Sequence, residues 1–253
     1  MSNRRVESLT YDLKTEETVR FDADPVGHET DAFSLRLEDG RLTVDLHENF
    51  SSVEEAREEV ESFLEAWEVS YGLQIGEREI SFDYKDAEVI REDNETGDVT
   101  VEAGTLKLDV SENVNVEYHV ERPEYPDPPE KFRLSPDART LWNRYEGYEQ
   151  GREPLFSMGY ACLEFLEGRA GGREEAAARY HTEDAVLDDL GRLTSTRGGP
   201  DVARKPSSSQ GEATPKERKW IEEVIRKIVR QVGISDAGHD PETLTKGDLP
   251  PLP

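Results

Sequence analysis

Two short polar runs carry the residue types of acid–base chemistry. His47-Glu48-Asn49 and His181-Thr182-Glu183-Asp184 each set an imidazole, which titrates near neutral pH, beside a carboxylate. The second run has a plainer use. Thr182, Glu183 and Asp184 are what a helix N-terminus takes to cap its free N–H groups and to complement its dipole. The five histidines, at 28, 47, 119, 181 and 239, show no metal-ligand spacing of the HExxH kind. Cys162 is the only cysteine, which excludes an internal disulfide and a cysteine-based zinc site. Its apolar neighbours predict a buried, inert thiol. Gly168, Gly171 and Gly172 follow no strand and lack the GxxxxGKS/T order of a phosphate loop, and Gly198-Gly199 reads as a turn. No GxSxG occurs, and Ser207-Ser208-Ser209 sits in a loop-like stretch. The sequence predicts no catalytic residue, no metal site and no cofactor.

Charge is the stronger signal. The 253-residue chain has 57 acidic and 31 basic residues, a net charge of −26, and the basic residues are 22 Arg against 9 Lys. Self-repulsion of this size works against a compact state in dilute buffer. Molar salt shortens the Debye length to about 3 Å and removes the penalty. Such a composition, with 34% apolar residues, matches proteins of salt-loving archaea, and most carboxylates then read as a solvated surface. The acid is unevenly placed. Residues 1 to 130 hold 12 basic and 36 acidic residues, whereas residues 131 to 233 hold 18 and 17. In the near-neutral half the basic residues gather at Arg197, Arg204 and Lys205, in the loop, and at Lys216, Arg218, Lys219, Arg226, Lys227 and Arg230, on the last helix. We read Arg197, Arg204, Lys205, Lys219, Arg226, Lys227 and Arg230 as a face spared acidification for a protein partner or a second copy of the chain. Nucleic acid ranks below these, because phosphate binding weakens steeply with salt. Helix C-termini also favour Lys and Arg, and Glu217, Glu222 and Glu223 offer local pairs.

These residues need elements to hold them. Phe33, Leu35 and Leu37 alternate with polar residues, Asp39-Gly40 follows, and Leu42, Val44 and Leu46 alternate in turn: a hairpin. Ser52 with Glu55 opens a helix whose stripe is Val53, Ala56, Val60, Phe63, Leu64 and Trp67, and Gly72 should end it. Residues 1 to 20 are polar, with a strand expected only near Thr18 to Phe21. Ile80 to Tyr84 predicts a strand that continues through Val89 and Ile90 after a break at Lys85-Asp86. Further strands follow at Val99 and Val101, at Leu106 and Leu108, and at Val114 to Val120, with a turn at Asn94 to Asp98. Residues 122 to 135, rich in proline, read as a semi-rigid linker.

Ser135-Pro136 starts the second half, with Leu141, Trp142, Tyr145 and Tyr148 on one helical face and Gly151 as the stop. From Arg152 to Gly168 the polar residues Ser157, Tyr160, Glu164 and Glu167 occupy an arc of roughly 80° at 100° per residue. Apolar residues take most of the remainder, so this helix is expected at the centre of a bundle. It is too short and interrupted to cross a membrane. A short alanine-rich helix at Arg173 to Tyr180 and one capped by Thr182 come next. Thr214-Pro215-Lys216-Glu217 opens a last helix that Gly233 should stop. The expected fold is α+β: an N-terminal antiparallel sheet with one packed helix (1–121), the linker (122–135), an all-α bundle of about five helices (136–233) and a disordered tail (234–253).

The layout of residues 136 to 233 resembles HEPN-type helical bundles, some of which are ribonucleases. Their hallmark is an Arg followed four to six residues later by His near the last long helix. Arg204 stands in a comparable place, but the KPSSSQG after it holds no histidine, so the resemblance implies no catalytic role here. The whole order also resembles proteins of haloarchaeal type, a likeness that carries no activity. MSNRRVESLTYDL lacks the apolar run of a secretory signal. The expectation is a non-enzymatic cytoplasmic protein without a membrane segment, whose helical half binds a protein partner or self-associates. The alternative is a HEPN-like nucleic-acid-binding or ribonuclease module.

Overall fold

The computed structural model describes residues 3–15, 19–92, 99–103, 120–196 and 213–252. The chain folds as two compact units. One comprises Met1–Tyr71 with Arg78–Pro128, and the other Gly72–Glu77 with Pro129–Pro253.

The first unit is a six-stranded antiparallel sheet built from β1 (Asn3–Thr15), β3 (Val26–Glu29), β4 (Phe33–Glu38), β5 (Arg41–Phe50), β6 (Ile80–Glu92) and β7 (Val99–Ala103). Its order is β3-β4-β5-β1-β6-β7. β2 (Val19–Phe21) and β8 (Val120–Arg122) form a separate parallel pair. The expected hairpin is β4–β5. Asp39 and Gly40 take φ of +52° and +71°, and positive φ at both central residues gives the tight turn its hand. Helix α1 (Val53–Ile75) lays Ala56, Val60, Leu64 and Trp67 on the sheet, against Leu9, Tyr11, Leu37, Leu42 and Val44. Ser52 Oγ accepts from Glu55 N at 3.2 Å, and the Glu55 carboxylate reaches back to Ser51 N.

Three local expectations change. The polar N-terminus holds β1, the strand that pairs with both β5 and β6. Its apolar period is broken by a bulge: Val6 pairs with Val89 but Ser8 with Glu88, so Val6, Leu9 and Tyr11 reach the core at uneven spacing. The break foreseen at Lys85-Asp86 is also a bulge, since Tyr11 faces Tyr84 and Thr10 faces Asp86, and β6 runs on through it. Gly72 does not end α1, which continues to Ile75 and stops at Gly76, φ +104°. Gly72 answers a close approach instead, because a Cβ there would lie 2.9 Å from Trp142 Cη2. The turn at Asn94 to Asp98 and the strand residues from Leu106 to Val116 lie outside the described residues.

The second unit contains α2 (Pro136–Glu149), α3 (Leu155–Ala170), α4 (Arg173–Arg179), α5 (Asp184–Thr196) and α6 (Pro215–Asp236). Helix α3 is the hub, in contact with each of the other four. It buries Phe156, Met158, Gly159, Cys162, Leu163 and Leu166. Ser135 caps α2 by accepting from Ala138 N at 3.1 Å, with Pro136 in the first turn. Thr214 and Glu217 form a reciprocal capping box at α6. Phe132 and Leu134 are buried before α2 begins.

Thr182 does not cap α5. Its hydroxyl donates to the Tyr180 carbonyl at 3.1 Å, and its backbone bridges to Leu244. Gly233 does not stop α6, which reaches Asp236. The position is glycine because the Phe132 ring lies against it. The tail expected to be disordered is packed. Leu244 and Leu249 are buried, Leu244 N donates to His181 O at 2.7 Å, and Glu183 N donates to Leu244 O at 2.9 Å. Gln231 Nε2 holds Glu242 O at 2.7 Å and Lys246 pairs with Asp189 at 2.6 Å. A low overall apolar content hid this, because two leucines and a short ladder suffice to seat the segment.

Candidate functional site

The histidines occupy separate settings along the chain. His181 sits in the left-handed region, φ +48°, with its carbonyl taken by Leu244 N. His47 is exposed on β5. His28 stacks on Phe63 with ring centroids 5.2 Å apart. Cys162 is fully buried beside Met158, and burial pushes its thiol up to about 12. Among the described residues no three His, Cys, Asp or Glu side chains are grouped to hold a metal ion. A cleft of about 390 Å³ opens between Asp12, Arg36, Arg41 and Thr43 in the sheet unit. Two of its charged side chains are already paired. Arg36 forks onto Glu38 at 3.0 and 3.2 Å, and Lys85 holds both oxygens of Asp12 at 3.0 and 3.1 Å.

Helix α6 divides cleanly. Trp220, Ile221, Val224, Ile225, Ile228, Val229 and Val232 are buried. At 100° per residue Lys216, Lys219, Glu223, Lys227 and Arg230 fall within an arc of roughly 80° on the opposite side. Lys216, Lys219 and Arg230 are exposed and make no ion pair among the described residues. Lys227 lies 3.9 Å from Glu223 and remains partly exposed. The stripe thus carries four cations and one carboxylate along about 21 Å of helix, at 1.5 Å per residue.

The sequence groups Arg226 with these cations, but the residue has a different task. It is half-buried, its Nη1 lies 3.4 Å from the carbonyls of both Leu73 and Gln74, and so it caps the C-terminus of α1. Beside it, Tyr148 donates to Glu222 at 2.5 Å and Tyr145 to Gly76 O at 2.9 Å. Burial holds the Glu149 carboxyl above its usual range. The Tyr145 hydroxyl opposes that shift, and the Glu222 charge adds to it. Arg218 lies over the Phe156 ring at 5.7 Å. Arg197, Arg204 and Lys205 lie outside the described residues.

Helical phase also separates a second charged face. The outward side of α1 exposes Glu54, Glu55, Glu58 and Glu59, with no basic residue among them. The helix's one arginine, Arg57, lies on another side, over the Tyr84 ring at 4.2 Å and 2.7 Å from Glu61. The sequence alone reads glutamates at these positions as solvated surface.

Compared with known protein families, curated proteins and solved structures, the chain matches none. No helix among the described residues is long and apolar enough to cross a membrane.

Proposed function

We propose that the protein is a non-enzymatic docking module, working in the cytoplasm at high salt, whose helical unit binds an acidic protein surface through the outer stripe of α6. The observation that carries this reading is the exposure of Lys216, Lys219 and Arg230 without ion-pair partners among the described residues, in a chain of net charge −26. An acid-rich chain that needs only solubility gains nothing from clustering exposed cations on one helix face. Screening at high salt leaves contact pairs as the useful electrostatics, which suits a protein partner with carboxylates placed opposite the stripe.

The test is fluorescence anisotropy of a labelled polyglutamate peptide, with a labelled single-stranded RNA as the competing probe. The peptide should bind, and the double variant Lys219→Glu with Arg230→Glu should weaken it by about tenfold, or 1.4 kcal/mol. Equal binding by wild type and variant, or no binding, overturns the reading. RNA binding that the variant abolishes, without peptide binding, replaces it with the nucleic-acid alternative.

A further inference from the structure

We infer that the acidic surface bound by α6 is α1 of a second copy of the same chain. The inference rests on the α6 docking reading and names its occupant.

The complementary surface is on the same chain. Glu54, Glu55, Glu58 and Glu59 lie exposed in the first two turns of α1. From Glu54 to Glu59 this row runs about 8 Å, at 1.5 Å per residue, and so faces part of the 21 Å or so of the α6 stripe. Both rows stand on helices whose opposite sides are buried in a core, Ala56, Val60 and Leu64 for α1 and Ile221, Val224 and Ile228 for α6. Among the described residues Glu54, Glu58 and Glu59 on α1, and Lys216, Lys219 and Arg230 on α6, make no ion pair. The distribution along the chain says the same. The acidity belongs to residues 1 to 130, while residues 131 to 233 hold 18 basic and 17 acidic residues. A partner with an exposed glutamate stripe is therefore present at the concentration of the protein itself.

Paired side chains on two helices cover less than the roughly 800 Å² per partner of a stable complex. The association is accordingly weak and visible at high protein concentration. Each copy carries both stripes, so association either closes as a reciprocal pair or continues as a chain.

Sedimentation equilibrium at about 2 M KCl, where charges beyond contact are screened, provides the test. Wild type should associate with rising concentration. Two reversed variants, Glu55→Lys with Glu58→Lys and Lys219→Glu with Arg230→Glu, should each be monomeric alone. Circular dichroism verifies that both are folded. Mixed together they should associate again, because each reversed stripe then meets an opposite one. Wild type that stays monomeric while still binding polyglutamate overturns this inference and leaves the docking reading standing. Failure of polyglutamate binding together with a monomeric wild type removes both. Self-association that survives the α1 reversal, or that the mixture does not restore, also overturns the α1–α6 pairing.

Discussion

Gly233 gives the sharpest test of the packing argument. It lies inside α6, where alanine is worth about 1 kcal/mol over glycine through helix propensity. The structure reverses that sign. A Cβ at this position would sit 2.5 Å from Cδ2 and 2.9 Å from Cζ of Phe132, distances no real contact adopts. The two segments cannot simply draw apart, because they are also tied by Arg133 N donating to Gly233 O at 3.1 Å. Forcing an extra methyl group into a packed site costs about 1–3 kcal/mol, and losing a buried Phe outright costs about 3–5 kcal/mol. Set against the propensity gain, Gly233→Ala should destabilise the protein by about 2 kcal/mol. The same substitution in a Phe132→Ala background should stabilise by about 1 kcal/mol, since only propensity remains. Denaturant unfolding at fixed molar KCl, followed by tryptophan fluorescence, measures all four proteins of the cycle. A neutral or stabilising Gly233→Ala in the wild-type background refutes the reasoning, as does an equal effect in both backgrounds.

Gly159 is a milder case of the same kind. A Cβ there meets Thr194 Cγ2 at 2.9 Å and Ile221 Cγ2 at 3.1 Å, so Gly159→Ala should cost about 1–2 kcal/mol. Thr194→Ser, which keeps the hydroxyl bond to Leu190 O and drops the methyl, should recover part of that loss in the same unfolding assay. Asp189 sets an acid-side dependence. Its carboxyl is partly desolvated, but Lys246 and Arg192 hold it below the usual range. A depressed folded pKa adds stability that is complete above the unfolded value near 3.9 and is lost as pH falls through the folded one. Asp189→Asn should therefore cost about 0.2–1 kcal/mol at pH 7, and the gap from wild type should close as the pH drops below the carboxylate range. For Cys162, with its thiol raised to about 12, a disulfide reagent at pH 8 should find no reactive group in the native protein and one in denaturant. Rapid native labelling would show that α3 opens.

Elements announced by neighbouring residues were readable in the sequence. The β4–β5 hairpin has Asp39-Gly40 at its tip, and α6 has Thr214, Pro215 and Glu217 at its start, each a signal contained in a few positions. What misled was a local signal with a distant cause. Gly72 and Gly233 read as helix stops because glycine commonly ends helices. Here both lie inside helices, making room for Trp142 and Phe132, and nothing near them in sequence says so. β1 was missed because its bulge shifts the alternation that identifies strands. Arg226 fits the α6 cation pattern in sequence, although its partners are carbonyls about 150 positions earlier. The exposed lysines needed only helical phase, and so the stripe itself could be drawn from sequence.

The placement of β1 has a kinetic consequence. β5 and β6 are each antiparallel to β1, so they run parallel to one another, joined by α1 and held apart by the width of one strand. The strand that fills this slot is the earliest in sequence, and it cannot complete its pairing until residues up to Glu92 have been arranged on both sides of it. Closing loops of that length makes β-rich units slow to fold. The β4–β5 hairpin, closed by a two-residue turn, is available early. The sheet unit should thus collect its outer strands quickly and spend its slowest step seating its own centre.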